Sequence, residues 1–259
     1  MVRVPRYAWL LIMSRRFEAI LCDIDGCLIP ESGAPLDAEA FVRLAAHNRR
    51  AIAAGDLPVI TLCSGRPQPF VEALCRLMSN TVCPAISEMG VWLFDPVTER
   101  AAMDPAILSA HKDGVRGATR WIEEHLVPRG IFVQPGKAAS ISLWHPETQV
   151  VMDLMPTLVE VFAREGWPLR GSRTVGWVNC GLAHISRGTG IERLWAKTGL
   201  KPGQLAGIGD TPTDLAIRDR VSFFACPSNA APELKAKADY VSPFKEMEGV
   251  LDILARMTM

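Results

Sequence analysis

The sequence predicts an α/β protein whose parallel-sheet core is interrupted by an inserted α+β domain. Short apolar runs alternate with helical spacing through residues 17–77. The spacing changes to alternating polar and apolar residues near 131–144, and the first pattern returns after residue 183. We therefore predict a core domain from 17–89 and 183–259, an inserted domain from 90–182, and an N-terminal extension from 1–16.

The first half of the core is predicted to run strand, helix, strand, helix. Residues 17–24 form an apolar run that ends in polar residues and glycine, as buried strands do. A helix follows over 38–54, with Asp37 as its cap and Gly55 as its stop. Residues 57–62 predict a second buried strand, and Pro67 suits the first turn of the next helix.

The insert is predicted from a different spacing. Ile141 and Leu143 lie on one face of 131–144 and Ser140 and Ser142 on the other, which predicts a half-exposed antiparallel strand. A helix at 156–165 and a glycine-interrupted strand at 175–185 follow. The core pattern then resumes with helices at 190–198, 214–219 and 232–238 and strands at 205–208 and 221–226.

Composition narrows the class of protein. Hydrophobic residues make up 49% of the chain, enough for a substantial core, and 28 basic residues balance 28 acidic ones. Nucleic-acid binders usually carry a basic excess, so that class is disfavoured. Seven cysteines without a CxxC pair argue against a zinc ribbon and indicate small buried side chains in a reducing, cytoplasmic compartment.

The N-terminal residues resemble a signal peptide only faintly. The apolar run at 7–13 is short, and no small-residue cleavage site follows it. We interpret Met13 as a candidate start site. No segment is long enough to cross a bilayer, so we expect no membrane partner.

A pair of acids follows the first predicted strand. Asp23 and Asp25 are two residues apart, so their side chains point the same way on an extended chain, and Gly26 follows them. Two carboxylates at the end of an apolar strand repel each other unless a cation lies between them. A bound Mg²⁺ fits, because this ion prefers carboxylate oxygens. Two solvated turn aspartates are the ordinary alternative.

Three further motifs follow predicted strands, where ligands bind in open parallel sheets. Ser64-Gly65-Arg66 could cradle a phosphate, Arg187-Gly188 could neutralise phosphoryl charge, and Gly209-Asp210 with Asp214 could hold a metal. Each motif alone also fits a common turn, a surface arginine or a helix-start acid. Their joint occurrence, in this order across an α/β pattern, favours a phosphate site.

In these motifs the sequence resembles the haloacid dehalogenase superfamily, and within it the Cof-like, sugar-phosphatase branch with a large α+β cap. The resemblance covers about 17–242 and includes the closing segment from Ser228 through Asn229 to Lys235 and then Ala238 to Val241, and Ser87-Glu88-Met89-Gly90 before the cap. It implies a Rossmann-like core and a magnesium-dependent phosphatase.

The resemblance also implies roles for the motif residues. Asp23 would attack phosphorus and carry an aspartyl-phosphate, and Asp25 would protonate the leaving oxygen and later activate water. The remaining roles are substrate binding and metal binding. The implied substrate-binding residues are Gly26, Ser64, Gly65, Arg66, Arg187 and Asn229, and the implied Mg²⁺ ligands are Asp23, the Asp25 carbonyl, Asp210 and Asp214.

Three residues depart from the family's pattern. Arg187 stands where lysine is usual, so the salt bridge to Asp23 is expected to differ, because a planar guanidinium replaces a point charge. Cys27 stands in place of threonine or valine. Met89 replaces a common asparagine near the cap hinge.

The favoured function is a phosphomonoesterase acting on a sugar phosphate or a phosphoglycerate-type ester. A phosphomutase with the same core and a non-catalytic phospho-acceptor are the alternatives, and a homodimer is left open. Substrate choice is expected to lie in the cap, although for any single candidate a solvated or packed side chain is the commoner explanation. These candidates are Lys137, Arg170, Arg173, Trp177 and His184.

Overall fold

The computed structural model describes residues 16–31 and 33–257. The candidate start at Met13 and nearly all of the N-terminal extension lie outside the described residues. The strands in the described part are β1 (Ala19–Cys22), β2 (Val59–Leu62), β3 (Ala85–Ser87), β4 (Trp92–Asp95), β5 (Arg100–Met103), β6 (Phe132–Val133), β7 (Ser140–Trp144), β8 (Leu169–Arg173), β9 (Trp177–Leu182), β10 (Leu205–Ile208), β11 (Phe223–Cys226) and β12 (Tyr240–Val241).

In the core the helices alternate with the strands, as the apolar spacing predicts. The helices in the described part are α1 (Ala38–Ala54), α2 (Gln68–Leu77), α3 (Ser109–His125), α4 (Thr148–Met152), α5 (Met155–Arg164), α6 (Arg187–Thr198), α7 (Leu215–Arg218), α8 (Pro232–Lys235) and α9 (Glu246–Arg256). No helix within the described ranges is both long enough and apolar enough to span a membrane.

The core is a five-stranded parallel sheet in the order β12-β11-β10-β1-β2. The chain places β2 on one side of β1 and β10 on the other, so the strand order reverses between β1 and β10. Ligands bind at such a switch point in open α/β sheets. The α/β fold expected from the sequence is confirmed, and its switch point lies where Asp23 and Asp210 follow their strands.

Alternating side chains of the parallel sheet pack against helices on both faces. Ile20 and Ile60 face α1, α2 and α9, whereas Leu21 and Val59 face α6, α7 and α8. Because both faces of these strands are buried, their sequences are continuous apolar runs.

The capping of α1 follows the sequence closely. Asp37 Oδ1 accepts a hydrogen bond from the amide of Ala40 at 2.9 Å, and Gly55 ends the helix with φ of 69°. A left-handed conformation at this position favours glycine because it has no Cβ.

The helix predicted at 190–198 begins three residues earlier, at Arg187. Ser186 caps it by accepting a hydrogen bond from the amide of Thr189 at 3.2 Å. Glycines in the first turn lower the helix propensity, so the sequence pattern placed the start too late. A Cβ on Gly190 would lie only 2.7 Å from Ile86 Cγ2, so the packing there requires glycine. Close packing of this turn against the core thus accounts for a residue type that helix propensity disfavours.

Two antiparallel sheets occupy the residues between β2 and β10. The first has the order β3-β4-β5, and the second has the order β6-β7-β9-β8. Strands β4 and β5 lie within the predicted insert 90–182, yet Phe94 packs with the core helices and Leu93 packs with the face that carries α6. We therefore propose that the insert proper begins after β5, near residue 104.

Strand β7 is antiparallel, as expected, but the half-exposed face predicted for it is wrong. Ser142 is 1% exposed and Ser140 is 8% exposed. Ile141 and Leu143 pack in the apolar cluster formed with α3 and α5, and Ser142 pairs across the sheet with Asn179. The polar face is covered because it is turned towards a cavity rather than towards solvent. Strand β8, which pairs with β9, was not predicted.

Candidate active site

Asp23 and Asp210 lie side by side at the switch point of the sheet. Asp23 follows β1 and donates its backbone N–H to the carbonyl of Ile208 at 3.0 Å, which locks the ends of β1 and β10 together. Both side chains are 4% exposed. The sequence therefore places two carboxylates in a buried position where ordinary solvation is missing.

Gly26 permits the close approach of these acids. Its φ is +72°, and a Cβ at this position would lie 1.9 Å from Asp210 Oδ2. Its amide donates to the carbonyl of Ile29 at 2.8 Å and closes the turn. Glycine is thus required for two reasons, the left-handed backbone and the space that the Asp210 carboxylate fills.

Asp214 completes an acidic cluster. Carboxylate oxygens of Asp23, Asp210 and Asp214 lie within 4.8 Å of one another. Asp214 is fully buried, and its Oδ2 accepts the amides of Asp210 at 3.0 Å and Thr211 at 2.9 Å. The same carboxyl group that closes the turn after β10 therefore also points into the cluster.

The electrostatics of the cluster favour a bound cation. Burial raises the pKa of Asp210 to about 8, with the Asp23 carboxylate as the next cause. Burial also raises the pKa of Asp23, and the nearby Arg187 charge partly offsets this. The three acids are buried, and Arg187 is the cation that pairs with two of them. The negative charge that is left fits a divalent ion that prefers oxygen ligands, such as Mg²⁺.

Arg187 bridges two of the three acids. Its Nη2 donates to Asp23 Oδ2 at 2.9 Å, and its Nη1 pairs with Asp214. A lysine ammonium is a single point charge, whereas a guanidinium fork can span both carboxylates, which is how the arginine departs from the usual pattern. Its Nε is buried without a hydrogen-bond partner.

Asp25 lies at the mouth of the site and is paired with Arg66. Arg66 Nε donates to Asp25 Oδ2 at 2.8 Å and to Oδ1 at 3.0 Å, and its Nη2 also donates to Oδ1. The guanidinium lies 5.0 Å above the ring of Phe70. The sequence indicated neither this ion pair nor the fixed orientation that it gives Asp25.

Ser64 and Gly65 follow β2 next to Asp25. Ser64 is fully buried, and its Oγ accepts the amide of Arg66 at 3.2 Å. Gly65 lines the cavity, and a Cβ there would lie 3.3 Å from Met89 Sδ. Met89 has φ of 57°, in the left-handed region that asparagine tolerates better than methionine. The departure at Met89 therefore coincides with a strained backbone position just before β4.

Asn229 does not line the cavity. Its Nδ2 donates to the carbonyl of Gly26 at 2.8 Å, and its Oδ1 accepts the amide of Glu246 at 2.8 Å. Both ends of the amide are therefore engaged with backbone groups. This arrangement supports a positioning role on the Gly26 turn more than the direct substrate contact that the sequence suggested.

The polar face of the cap sheet closes the cavity from the opposite side. Of the cap candidates, Lys137 and Trp177 line the cavity together with Asp23 and Asp25. Arg170 lines a neighbouring pocket. Arg173 donates to the carbonyl of Met152 at 3.0 Å, and His184 lies 3.2 Å from the carbonyl oxygen of Ala106; neither lines the cavity.

Several cavity residues were missed by the sequence reasoning. They are Glu31, Gln134, Thr174, Asn179 and Thr213. Burial raises the pKa of Glu31 to about 7, with Asp25 as the second cause. The alternation at Ser140 and Ser142 marked the correct face of β7, but only pairing with β9 brings Asn179 to it.

Comparisons with known proteins agree with this geometry. A family model described as haloacid dehalogenase-like hydrolase matches residues 181–254. A phosphoglycolate phosphatase from Halorubrum lacusprofundi is 28% identical over 236 residues, which cover 90% of this chain and 94% of that protein. One from Methanothrix thermoacetophila is 34% identical over 73 residues, or 28% of this chain. That match spans 33% of the relative's length, and the match to a Saccharolobus solfataricus homologue spans 30%.

Solved structures share the fold over nearly the whole chain. The Thermoplasma acidophilum protein 0175 has a TM-score of 0.74 at 17% identity, covering 95% of this chain and 100% of that one. A sucrose-phosphatase from Synechocystis, solved with sucrose and phosphate, has a TM-score of 0.63 at 16% identity, covering 94% and 98%. The order of motifs, the switch-point acids and these comparisons agree: residues 181–254 match the haloacid dehalogenase-like hydrolases, and nearly the whole chain shares its fold with the Thermoplasma and Synechocystis structures.

Proposed function

We propose that this chain is a magnesium-dependent phosphomonoesterase that acts on a small phosphorylated metabolite through an aspartyl-phosphate on Asp23. The observation that carries the proposal is the meeting of Asp23, Asp210 and Asp214 at the switch point, with Arg187 bridging two of them. Buried charges of this kind are costly unless they serve a ligand. A metal phosphate site at a sheet edge uses all of them.

Asp23 has the setting of a nucleophile. Its Oδ1 accepts the amide of Ile24 at 2.8 Å and its Oδ2 accepts Arg187, so the carboxylate is held in one orientation. Attack forms a bond from a carboxylate oxygen to phosphorus and breaks the bond from phosphorus to the leaving oxygen. A fixed carboxylate raises the rate chiefly by positioning, as in other phosphoryl transfers.

Asp25 would move the protons of both steps. It would donate a proton to the leaving oxygen, and then accept one from the water that hydrolyses the aspartyl-phosphate. Both of its oxygens bind Arg66 in this structure. The proposal therefore requires Arg66 to turn from Asp25 towards the phosphoryl oxygens when a substrate enters.

The residues fit a bound Mg²⁺. Asp23, Asp210 and Asp214, with the Asp25 carbonyl, would hold it, and the ion would supply positive charge against the developing charge of the phosphoryl group. Arg187 adds a fixed positive charge, and the buried hydroxyl of Ser64 with the Gly26 and Gly65 amides would hold phosphoryl oxygens.

The substrate proposal rests on the relatives. Those of Halorubrum and Methanothrix are phosphoglycolate phosphatases, and the Synechocystis structural relative is a sucrose-phosphatase. The sequence relatives favour the phosphate ester of a small hydroxy acid over a sugar phosphate for this chain.

The first test is release of free phosphate by the full chain with Mg²⁺, using 4-nitrophenyl phosphate, phosphoglycolate, 3-phosphoglycerate and glucose 6-phosphate. Asp23→Asn should lower kcat at least about a thousandfold, because the nucleophile is gone. Asp113→Asn on α3 is the matched control, since Asp113 lies on the surface in an ion pair with Arg116. Equal activity of wild type and Asp23→Asn would refute the mechanism.

Two further readouts separate the alternatives. Rapid acid quench and mass spectrometry should place a phosphate adduct on Asp23. Phosphate moving between sugar positions without release would indicate a mutase, and a long-lived adduct without turnover would indicate a phospho-acceptor. Mg²⁺ should also raise the melting temperature of wild type by mass action, and Asp210→Asn should abolish that increase.

A further inference from the structure

Lys137 is the cation that the cap contributes to the cavity. It lies in the loop between β6 and β7, and it lines the cavity opposite Asp23 and Asp25 together with Trp177 and Asn179. A Cβ at the neighbouring Gly136 would lie 3.6 Å from Pro67, so this loop is seated against the core domain. The ammonium group is therefore held at the junction of cap and core.

The charge of Lys137 is not neutralised by a carboxylate. Its Nζ donates to Ser142 Oγ, and within the described ranges it forms no ion pair. An ammonium has three donors, so two remain for a ligand. A desolvated cation without a directly paired carboxylate is costly, which is typical of an anion site.

Glu88, whose charge acts on Lys137, is fully occupied elsewhere. Its Oε1 accepts the amides of Ala138 at 2.9 Å and Ala139 at 2.7 Å and the hydroxyl of Ser140 at 3.0 Å. Its Oε2 accepts Trp92 Nε1 at 3.1 Å. Glu88 thus clamps the loop that carries Lys137 without pairing with the ammonium itself.

A second donor lies beside Lys137. The hydroxyl of Ser142 accepts from Lys137 and donates to Asn179 Oδ1, which fixes the orientation of the Asn179 amide. The NH₂ group of Asn179 is then free to donate within the cavity, since no described residue accepts a hydrogen bond from it. An ammonium and an amide NH₂, both donors, match the two acceptor oxygens of a carboxylate.

The pKa of Lys137 is lowered to about 8, chiefly by burial, and the charge of Arg66 acts in the same direction. The charges of Glu88, Asp25 and Cys180 act in the opposite direction. Most Lys137 side chains therefore remain protonated at neutral pH, so the group is still a cation when substrate binds.

We infer that the leaving group of the substrate carries a carboxylate, and that Lys137 and Asn179 bind this carboxylate while Asp23 attacks the phosphoryl group. The inference rests on the proposed function and makes Lys137 a specificity residue of the same site. The core then holds the phosphoryl group, and the cap binds the other end of the substrate. The substrate class is the phosphate ester of a small hydroxy acid.

The test compares two esters that differ at one end. Phosphoglycolate carries the carboxylate, and 2-hydroxyethyl phosphate carries a hydroxymethyl group in its place. We expect wild type to prefer phosphoglycolate by about thirtyfold or more in kcat/KM, since truncating one partner of a desolvated charge pair has effects of this size. Lys137→Met should remove most of this preference, mainly through KM, while turnover of 4-nitrophenyl phosphate changes less than about threefold.

Two variants serve as controls. Lys137→Arg keeps the charge and should retain part of the preference. Lys237→Met removes an exposed lysine remote from the cavity and should leave all three substrates unaffected. Replacing a poorly solvated ammonium with methionine should not lower the melting temperature, so a folding failure of Lys137→Met would itself contradict the setting described for this residue.

The outcomes separate the inference from the proposed function. Turnover of the aryl phosphate without any preference of wild type for the carboxylate ester overturns the inference and leaves the phosphatase proposal standing. An equal loss on both esters in Lys137→Met also overturns it. If wild type hydrolyses none of the esters, the phosphatase proposal fails and the inference falls with it.

Discussion

The two walls of the cavity are built differently. On the core side, Asp23, Asp210 and Asp214 follow the ends of strands; Arg187 cross-links Asp23 and Asp214, and Asp214 also accepts the backbone amide of Asp210. On the cap side, Lys137 and Asn179 project from a loop and from a sheet face, and both keep donors available. The core wall is a closed ionic network, whereas the cap wall is an open polar surface.

The difference follows from what each wall must recognise. Under the proposed function, the phosphoryl group and the bound metal ion are the same for every substrate, so the core can hold its charges rigidly in advance. The leaving group would vary among substrates, and the cap would have to separate from the core to admit it. Substitutions in the core wall should therefore cost stability as well as activity, while those in the cap wall should change specificity.

The largest effect is expected from breaking the core network at Arg187. Arg187→Met leaves Asp23 and Asp214 buried without their counter-charge, which should lower the free energy of unfolding by about 3–5 kcal/mol in EDTA. Urea unfolding at neutral pH measures it. Arg218→Met, at an exposed ion pair with Asp219, is the control and should cost less than about 1 kcal/mol. Similar values for the two variants would contradict the network.

A smaller loss is expected from Gly26→Ala. The substitution strains a backbone at φ +72° and places a methyl group on the Asp210 carboxylate, for a cost of about 2–3 kcal/mol and weaker stabilisation by Mg²⁺. Thermal unfolding with and without the ion measures both. Gly203→Ala is the matched control, because nothing lies within 4 Å of its added Cβ. A Gly26→Ala protein that keeps its full response to Mg²⁺ would argue against the tight turn.

The cap clamp should respond more modestly. In wild type, both Glu88 oxygens accept hydrogen bonds, from the loop amides and from Trp92, whereas Glu88→Gln leaves only one acceptor oxygen. We therefore expect kcat/KM for the preferred ester to fall by about tenfold, equivalent to about 1–2 kcal/mol. Glu99→Gln is a matched control, since Glu99 also has positive φ but lies on the surface. Core stability in urea should stay close to wild type; a loss as large as that of Arg187→Met would erase the distinction between the walls.

The smallest effect is a pH dependence of the cap wall. Because the pKa of Lys137 is lowered to about 8, the ammonium is charged below that pH and neutral above it. KM for a carboxylate ester should therefore rise about fivefold to tenfold between pH 7 and 9, with little change for 4-nitrophenyl phosphate. Lys137→Arg should flatten the rise, because a guanidinium stays charged; an unchanged slope in that variant would assign the titration to another group.

Local chemistry was predictable wherever a single segment contained the whole signal. Asp37 and Gly55 bound α1 as expected, and Asp23 and Asp210 converge because both follow strands of one parallel sheet. The start of α6 was mispredicted because its glycines serve packing against Ile86 rather than helix propensity. The ion pair between Arg66 and Asp25 was also missed, because a contact between side chains 41 residues apart does not affect the spacing of apolar residues in the sequence.

The sequence by itself determined the α/β core, the acids at the strand ends and the resemblance to a family, because the apolar spacing and the strand-end motifs each lie within a short stretch of chain. Only the tertiary structure decided which cap residues face those acids. Ser142 and Asn179 are 37 residues apart and meet through the register of β7 and β9. That register is set by the burial of Ile141, Leu143 and Val178 against the cap helices, a packing energy that no local pattern contains.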